Sequence, residues 1–204
     1  MGRASRRQAD LNRESVVSAA SLVMRERGVD KSSIAEIMGD AGLTHGAFYS
    51  QFESKEELAA KACASAFDVA TKKWNALVDD AEHGNGEVRA AVLERYLSAA
   101  HRDDPRTGCP GAALASDSAR DSEALQLRAA YVTGISGMTD AVERMMPPTL
   151  SKKVRRQRAL QTVATMLGAV TIARATQGSE FSDVILEAAR HALLGRTDVA
   201  AQID

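Results

Sequence analysis

The chain has 204 residues, 26 Lys and Arg against 27 Asp and Glu, and a formal net charge of −1. That length accommodates one or two domains with sizeable cores, and the even charge balance argues against a general nucleic-acid coat while leaving room for a specific binder whose basic groups are local. Two cysteines, Cys63 and Cys109, exclude a disulfide framework, and with no signal peptide visible and no apolar run near the roughly 18 residues of a membrane span, a cytoplasmic protein without a membrane partner is expected.

Alanine is abundant and alternating β-branched runs are few, so the expected class is all-α, with about nine helices. Residues 1–9 read as a flexible basic arm. Its Arg3, Arg6 and Arg7, with Arg13 just beyond, are opposed in this stretch only by Asp10. A first helix is expected over Leu11–Arg27, burying Val16, Ala20, Val23 and Met24 and ending at Gly28. Ser33-Ile34-Ala35-Glu36 then has the form of a capping box. Ile34, Ile37, Met38 and Ala41 follow at the spacing of one apolar helix face. Gly42 supplies the left-handed residue that ends this helix.

Two residues later Thr44 is placed to cap a short helix over Thr44–Phe52. Phe48 and Phe52, four apart, share one face that can bury. His45, Gly46, Ala47, Tyr49 and Gln51 occupy the other, a small and polar surface with one phenol. Ser54-Lys55-Glu56-Glu57 is a second capping box, opening a helix that runs to about Ala81. Helix, glycine turn, helix is the helix-turn-helix pattern, whose second helix enters the major groove.

The run Ile34–Ile37, Ala41–Tyr49, Phe52 and Ser54–Leu58 resembles the DNA-binding domain of TetR/AcrR-type transcriptional repressors. The resemblance spans roughly residues 10–60. It implies a helix-turn-helix domain over 10–55, an effector-binding and dimerisation domain over 56–195, and a tail over 196–204. It implies no enzymatic activity, and no nucleophile elbow, P-loop, dinucleotide or metal motif is present. Carried over position by position, it puts His45 and Gly46 at base edges and Ala47 near the backbone, within reach of a thymine methyl. Tyr49 and Gln51 fall at phosphate or sugar, and Lys55 meets a phosphate at a helix N-terminus. Ser33 and Thr44 cap the two helices of the motif. The bland alternative for all of these is solvated surface on a three-helix domain. Ser50, where the family often has a larger side chain, leaves base reading thin, so DNA shape is expected to contribute.

One short helix carries too little specificity. A two-fold homodimer on palindromic double-stranded DNA, with reading helices about 34 Å apart, supplies more. The family pairs its last two helices between subunits. The small and apolar residues in the second half of a helix over Leu150–Thr176, among them Leu167 and Val170, fit that use, as do Phe181, Val184, Ile185 and Ala188 of a helix over Phe181–Leu194. An internal core is the competing reading. The basic run Lys152–Arg158 reads as a solvated helix face.

Between these regions lie a loop over His83–Gly86, helices over Glu87–Ala100, Pro110–Ala119 and Ser122–Met146, and a polar loop over His101–Gly108. By the resemblance, these helices and the one opened by Ser54 enclose a small-molecule effector. Phe67, Trp74, Tyr96, Leu114, Tyr131, Ile135 and Met138 are candidate lining residues, each equally at home in a core. Cys109, before Pro110 at a helix start, is a candidate thiolate sensor or an inert buried cap. His101, Asp103 and Asp104 match no metal-site spacing, so neither metal nor cofactor is expected. The expected function is a repressor released from its operator by an effector. Control by oxidation or alkylation of Cys109, or by a protein partner, is the alternative.

Overall fold

The computed structural model describes residues 3–80, 85–120 and 125–195. Among them all regular structure is helical: α1 Arg3–Arg27, α2 Ile34–Asp40, a 3-10 helix His45–Ser50, α3 Lys55–Asp79, α4 Asn85–Tyr96, α5 Ala99–Asp103, α6 Pro110–Arg120, α7 Leu125–Arg144, α8 Lys152–Ala175 and α9 Glu180–Leu194. The expected tail at 196–204, the start of the helix at Ser122 and the His83–Gly84 part of the loop lie outside the described residues.

The helices form two compact units, Met1–Val69 with Cys109–Ile135, and Ala70–Gly108 with Ser136–Asp204. This division does not follow a linear boundary at residue 55. The reason lies in the first half of α3: Leu58, Ala59, Ala62, Cys63 and Phe67 are all buried. In the same unit α6 packs on α1. Its core adds Val16, Ala20, Val23 and Met24 of α1, Ile37 and Met38 of α2, and Phe48 and Phe52. Each of the Val, Ile, Met and Phe side chains contributes about 1.5–3 kcal/mol on full burial, before the entropy of ordering is subtracted.

α1 begins at Arg3 rather than near Leu11, so most of the expected arm continues the helix. No proline or glycine interrupts residues 3–10, and nothing local stops the helix from propagating.

In the second unit the expected helix over Glu87–Ala100 is broken into α4 and α5. Ser98 takes an extended conformation, φ −112° and ψ 155°, and its hydroxyl accepts from His101 N. A serine at this position offers the backbone a cap in place of a continuing helix. The last carbonyls of α5, His101 O and Arg102 O, each accept from the Arg174 guanidinium of α8 at 3.1 Å. Arg102 donates to Ser182 Oγ of α9 at 2.8 Å and pairs with Asp103 and Asp183. α8 and α9 pack closely against each other, over Ala159, Val163, Met166, Val170, Ala173, Leu186 and Ala189.

Candidate nucleic-acid interface

The turn between α2 and the 3-10 helix is fixed by backbone bonds. Leu43 N donates to Met38 O at 2.8 Å and Gly42 N to Gly39 O at 2.9 Å. That pair of bonds is a Schellman motif, and it requires the left-handed φ of +71° that Gly42 adopts. At the other end of α2, Ser33 Oγ accepts from Glu36 N at 3.1 Å. The Glu36 carboxylate pairs with Arg27 at 2.7 Å, so it acts across to α1.

Thr44 departs from expectation. Its backbone is extended, φ −78° and ψ 149°, as an N-cap requires, but its hydroxyl makes no capping bond. Thr44 O accepts instead from Ala47 N at 3.0 Å. A three-residue repeat of this kind is what makes His45–Ser50 a 3-10 helix, a form suited to short pieces. Six residues leave little room for four-residue bonds, and Ser50 Oγ takes Ala47 O at 2.8 Å.

Two aromatic rings hold this helix to the core. Phe48 and Phe52 are 1% and 3% exposed, and their rings stack at 5.6 Å and 24°. The Arg13 guanidinium of α1 lies 4.3 Å over the Phe52 ring and donates to Glu57 Oε1 at 2.7 Å. Glu57 in turn accepts from Glu53 N at 2.8 Å, and its own N–H bonds Ser54 Oγ at 3.0 Å. The second capping box is therefore shifted by one residue on its acidic side. The Glu53 amide, with Arg13 and Lys61, holds the Glu57 carboxyl below its usual range, against the opposing effect of burial.

With the aromatic face anchored, the remaining side chains project outward. Tyr49 is 68% exposed, with its ring edge-on to His45 at 5.9 Å and to Phe48 at 5.3 Å. His45, Gly46, Thr44 and Ser33 are exposed, and Ala47 is half-buried. A Cβ added at Gly46 meets nothing within 4 Å, so the fold itself does not demand glycine there. Gln51 is half-buried, and its Oε1 has no hydrogen-bond partner among the described residues. Lys55 Nζ donates to Asp30 O of the α1–α2 turn at 3.1 Å. Arg6 and Arg7 are exposed on the first turns of α1.

Sequence reasoning passed over one neighbour of this interface. Asp117, on α6, sends a carboxylate oxygen to Val29 N at 3.3 Å. The residues are 88 positions apart, and no local pattern joins them.

The eight candidate effector residues fall in both units. Phe67, Cys109, Leu114, Tyr131 and Ile135 belong to the first, and Trp74, Tyr96 and Met138 to the second. Phe67, Tyr96, Cys109, Leu114 and Met138 are buried; Trp74, Tyr131 and Ile135 are half-buried. Tyr131 OH donates to Gly111 O at 2.8 Å, and burial, aided by the nearby Cys109 and Cys63 sulfurs, pushes its pKa up to about 12. Burial likewise lifts Cys63 to about 12, which fits a packing role. Of the expected subunit contacts, Phe181 is 54% exposed and Val170 is fully buried within the chain. Leu167, Val184, Ile185 and Ala188 are half-buried.

Residues 16–62 match the profile of the bacterial regulatory proteins of the tetR family. Residues 16–62 form a TetR-type DNA-binding domain. This domain is similar to the HTH-type transcriptional repressor BepR of Brucella suis, 41% identical over 56 residues, which are 28% of this chain and 27% of that protein. The likeness to an HTH-type transcriptional regulator of Mycobacterium tuberculosis extends further, at 25% identity over 89% of this chain and 94% of that one. In fold, the chain is similar to a TetR transcriptional regulator from Chloroflexus aurantiacus, with a TM-score of 0.72, 25% identity, and 93% and 95% of the two chains covered. The all-α class and the DNA-binding regulatory role expected from sequence are thereby established. No helix among the described residues is long and apolar enough to cross a membrane.

Proposed function

We propose that the protein is a homodimeric transcriptional repressor that reads a palindromic operator and is released by a small-molecule effector. The observation that carries this reading is the 3-10 helix itself: two buried phenylalanines pin one face while His45, Gly46 and Tyr49 stand clear on the other. In the proposed complex His45 and Gly46 address base edges. The open space at Gly46 lets the backbone come close, and Ala47 meets a thymine methyl. Tyr49, Gln51, Ser33, Thr44 and Lys55 address the phosphate backbone, which fixes register without reading sequence. The Lys55 ammonium has three N–H donors, so it meets a phosphate oxygen while keeping the Asp30 carbonyl.

The subunit contact is proposed on the outer faces of α8 and α9. Leu167, Phe181, Val184, Ile185 and Ala188 all retain exposure there, and Val170 supports them from inside the chain. Leu160, 51% exposed and seven residues before Leu167, extends this apolar surface along α8; such a surface favours association. The effector is proposed to act through the C-terminal helices. Cys109 is 7% exposed, which favours reversible ligand binding over direct thiol chemistry as the release signal.

The test begins with selection of duplexes from a random pool by the wild-type protein, followed by a salt-controlled titration of the winner. Enrichment of a two-fold symmetric sequence, with Tyr49→Ala losing affinity, supports the proposal. Binding that is equally tight on random DNA refutes it.

A further inference from the structure

We propose that Asp117 is a positioning residue for DNA binding: from α6 it holds the α1–α2 turn, and that turn holds Lys55. The inference rests on the reading of Lys55 as a phosphate contact.

The connection runs through two adjacent residues of one turn. Gly28 has φ +81°, and a Cβ built on it stands 3.5 Å from both Asp117 carboxylate oxygens. At that distance a side chain would only touch the carboxylate, so it is the left-handed φ that calls for glycine here. Val29 N then donates to Asp117 Oδ2 at 3.3 Å, and Asp30 O accepts from Lys55 Nζ at 3.1 Å. The turn is closed on itself by Ser32 Oγ, which donates to Gly28 O at 2.7 Å. Ser33, the N-cap of α2, comes directly after. A shift of Asp117 therefore moves the turn that precedes the helix-turn-helix and holds the Lys55 ammonium.

Asp117 is also accessible to its surroundings. It lines a cavity of about 480 Å³ with Val29, Asp30, Lys55, Glu56, Ala59, Arg120 and Leu127. The charged groups facing it are Asp30 of the turn, Lys55 and Glu56 of α3, and Arg120 of its own helix. From α7 the cavity receives Leu127, while Arg128 donates to Ser118 O and Glu56 accepts from Gln126 N. Among the described residues Asp117 forms no ion pair. Burial, with Asp30 nearby, raises its pKa; the Val29 N–H, Arg120 and Lys55 act the other way.

The sign of the consequence distinguishes this role from a structural one. Because the folded-state pKa is raised, ionised Asp117 costs the fold stability. Its contribution is favourable at low pH and is lost as pH rises through the folded value. The ionised form is, however, the stronger acceptor for Val29 N. Acidification thus weakens the hook while relieving the fold.

The experiment uses the full chain and a duplex selected by the wild-type protein. Affinity, thermal midpoint and Val29 amide exchange are measured from pH 8 downward, on wild type, Asp117→Asn, Asp117→Ala and the reading-helix control Tyr49→Ala. Wild-type affinity is expected to fall on acidification, with no matching loss of the thermal contribution of Asp117. Asp117→Asn, which keeps an acceptor oxygen and loses the charge, is expected to bind like acidified wild type and to lack this part of the pH response. Asp117→Ala is expected to exchange the Val29 amide faster and to bind on the order of tenfold more weakly, the scale of one hydrogen bond to a charged group. The proposal is overturned by wild-type affinity in Asp117→Ala, by unchanged Val29 exchange, or by an affinity loss that tracks thermal stability in both variants. If Val29 exchange responds to Asp117 while no duplex is enriched, it is the DNA reading that has failed, and the positioning role falls with it.

Discussion

A methyl group added to Gly134 would come within 2.1 Å of the Phe67 ring, so α7 and α3 approach each other at this point as closely as a ring and a bare backbone allow. The Phe67 ring also meets Tyr131 edge-on at 5.7 Å. Gly134→Ala is expected to destabilise the protein by about 1–3 kcal/mol, the usual cost of overpacking a core. Denaturant unfolding measures it. In a Phe67→Ala background Gly134→Ala should cost less, because the clash is with the ring from Cγ outward and not with backbone.

Ser33 and Thr44 look alike in sequence and differ in what their hydroxyls do. Ser33→Ala removes a real cap and should cost about 1 kcal/mol. Thr44→Ala removes no capping bond and should unfold within about 0.5 kcal/mol of wild type. Equal losses in the two variants would show that the Thr44 hydroxyl caps the helix in solution after all.

Glu57 gives a pH signature opposite to that of Asp117. Its folded-state pKa lies below the 4.5 of an ordinary glutamate, first because of the Glu53 N–H and then because of Arg13 and Lys61. Its stabilisation is therefore present above that ordinary value and is lost as pH falls through the lowered one. Glu57→Gln should be less stable than wild type at neutral pH, and the gap should close in acid. Unfolding curves at neutral and acidic pH decide it.

Gly46 and Phe181 separate folding from function. Gly46→Ala should melt no lower than wild type, since its Cβ enters open space, yet it should lose affinity for a selected duplex or change the bases selected. Phe181→Asp places a charge on the proposed subunit contact. Sedimentation is expected to show a shift toward monomer, accompanied by loss of tight DNA binding. A Phe181→Asp protein that stays dimeric would move the contact elsewhere.

What the sequence made legible was local. Ser33 with Glu36, and Gly42 after Ala41, act over three or four residues, and the structure has both. Phe48 and Phe52 were readable as one buried face for the same reason. The 3-10 form of the reading helix was not, because whether six residues close three- or four-residue bonds depends on how the flanking rings seat. The break at Ser98 was missed because apolar spacing continues across it through Leu97. Val170 and Phe181 carry the same kind of apolar signal, yet one is buried in its own chain and the other is exposed; periodicity reports that a face is apolar and not what covers it. Asp117 left no trace at all, since its partner Val29 lies 88 positions away.

The double hold on Arg13 bears on how binding measurements should be read. Added salt screens the exposed charges that meet a DNA backbone, and it screens the Arg13–Glu57 pair in part. It does little to a guanidinium lying flat on the Phe52 ring, where much of the contact is dispersion and excluded water. The seat of the reading helix should therefore outlast the phosphate contacts as ionic strength climbs. The slope of affinity against salt then counts released counterions rather than a loosening of the domain.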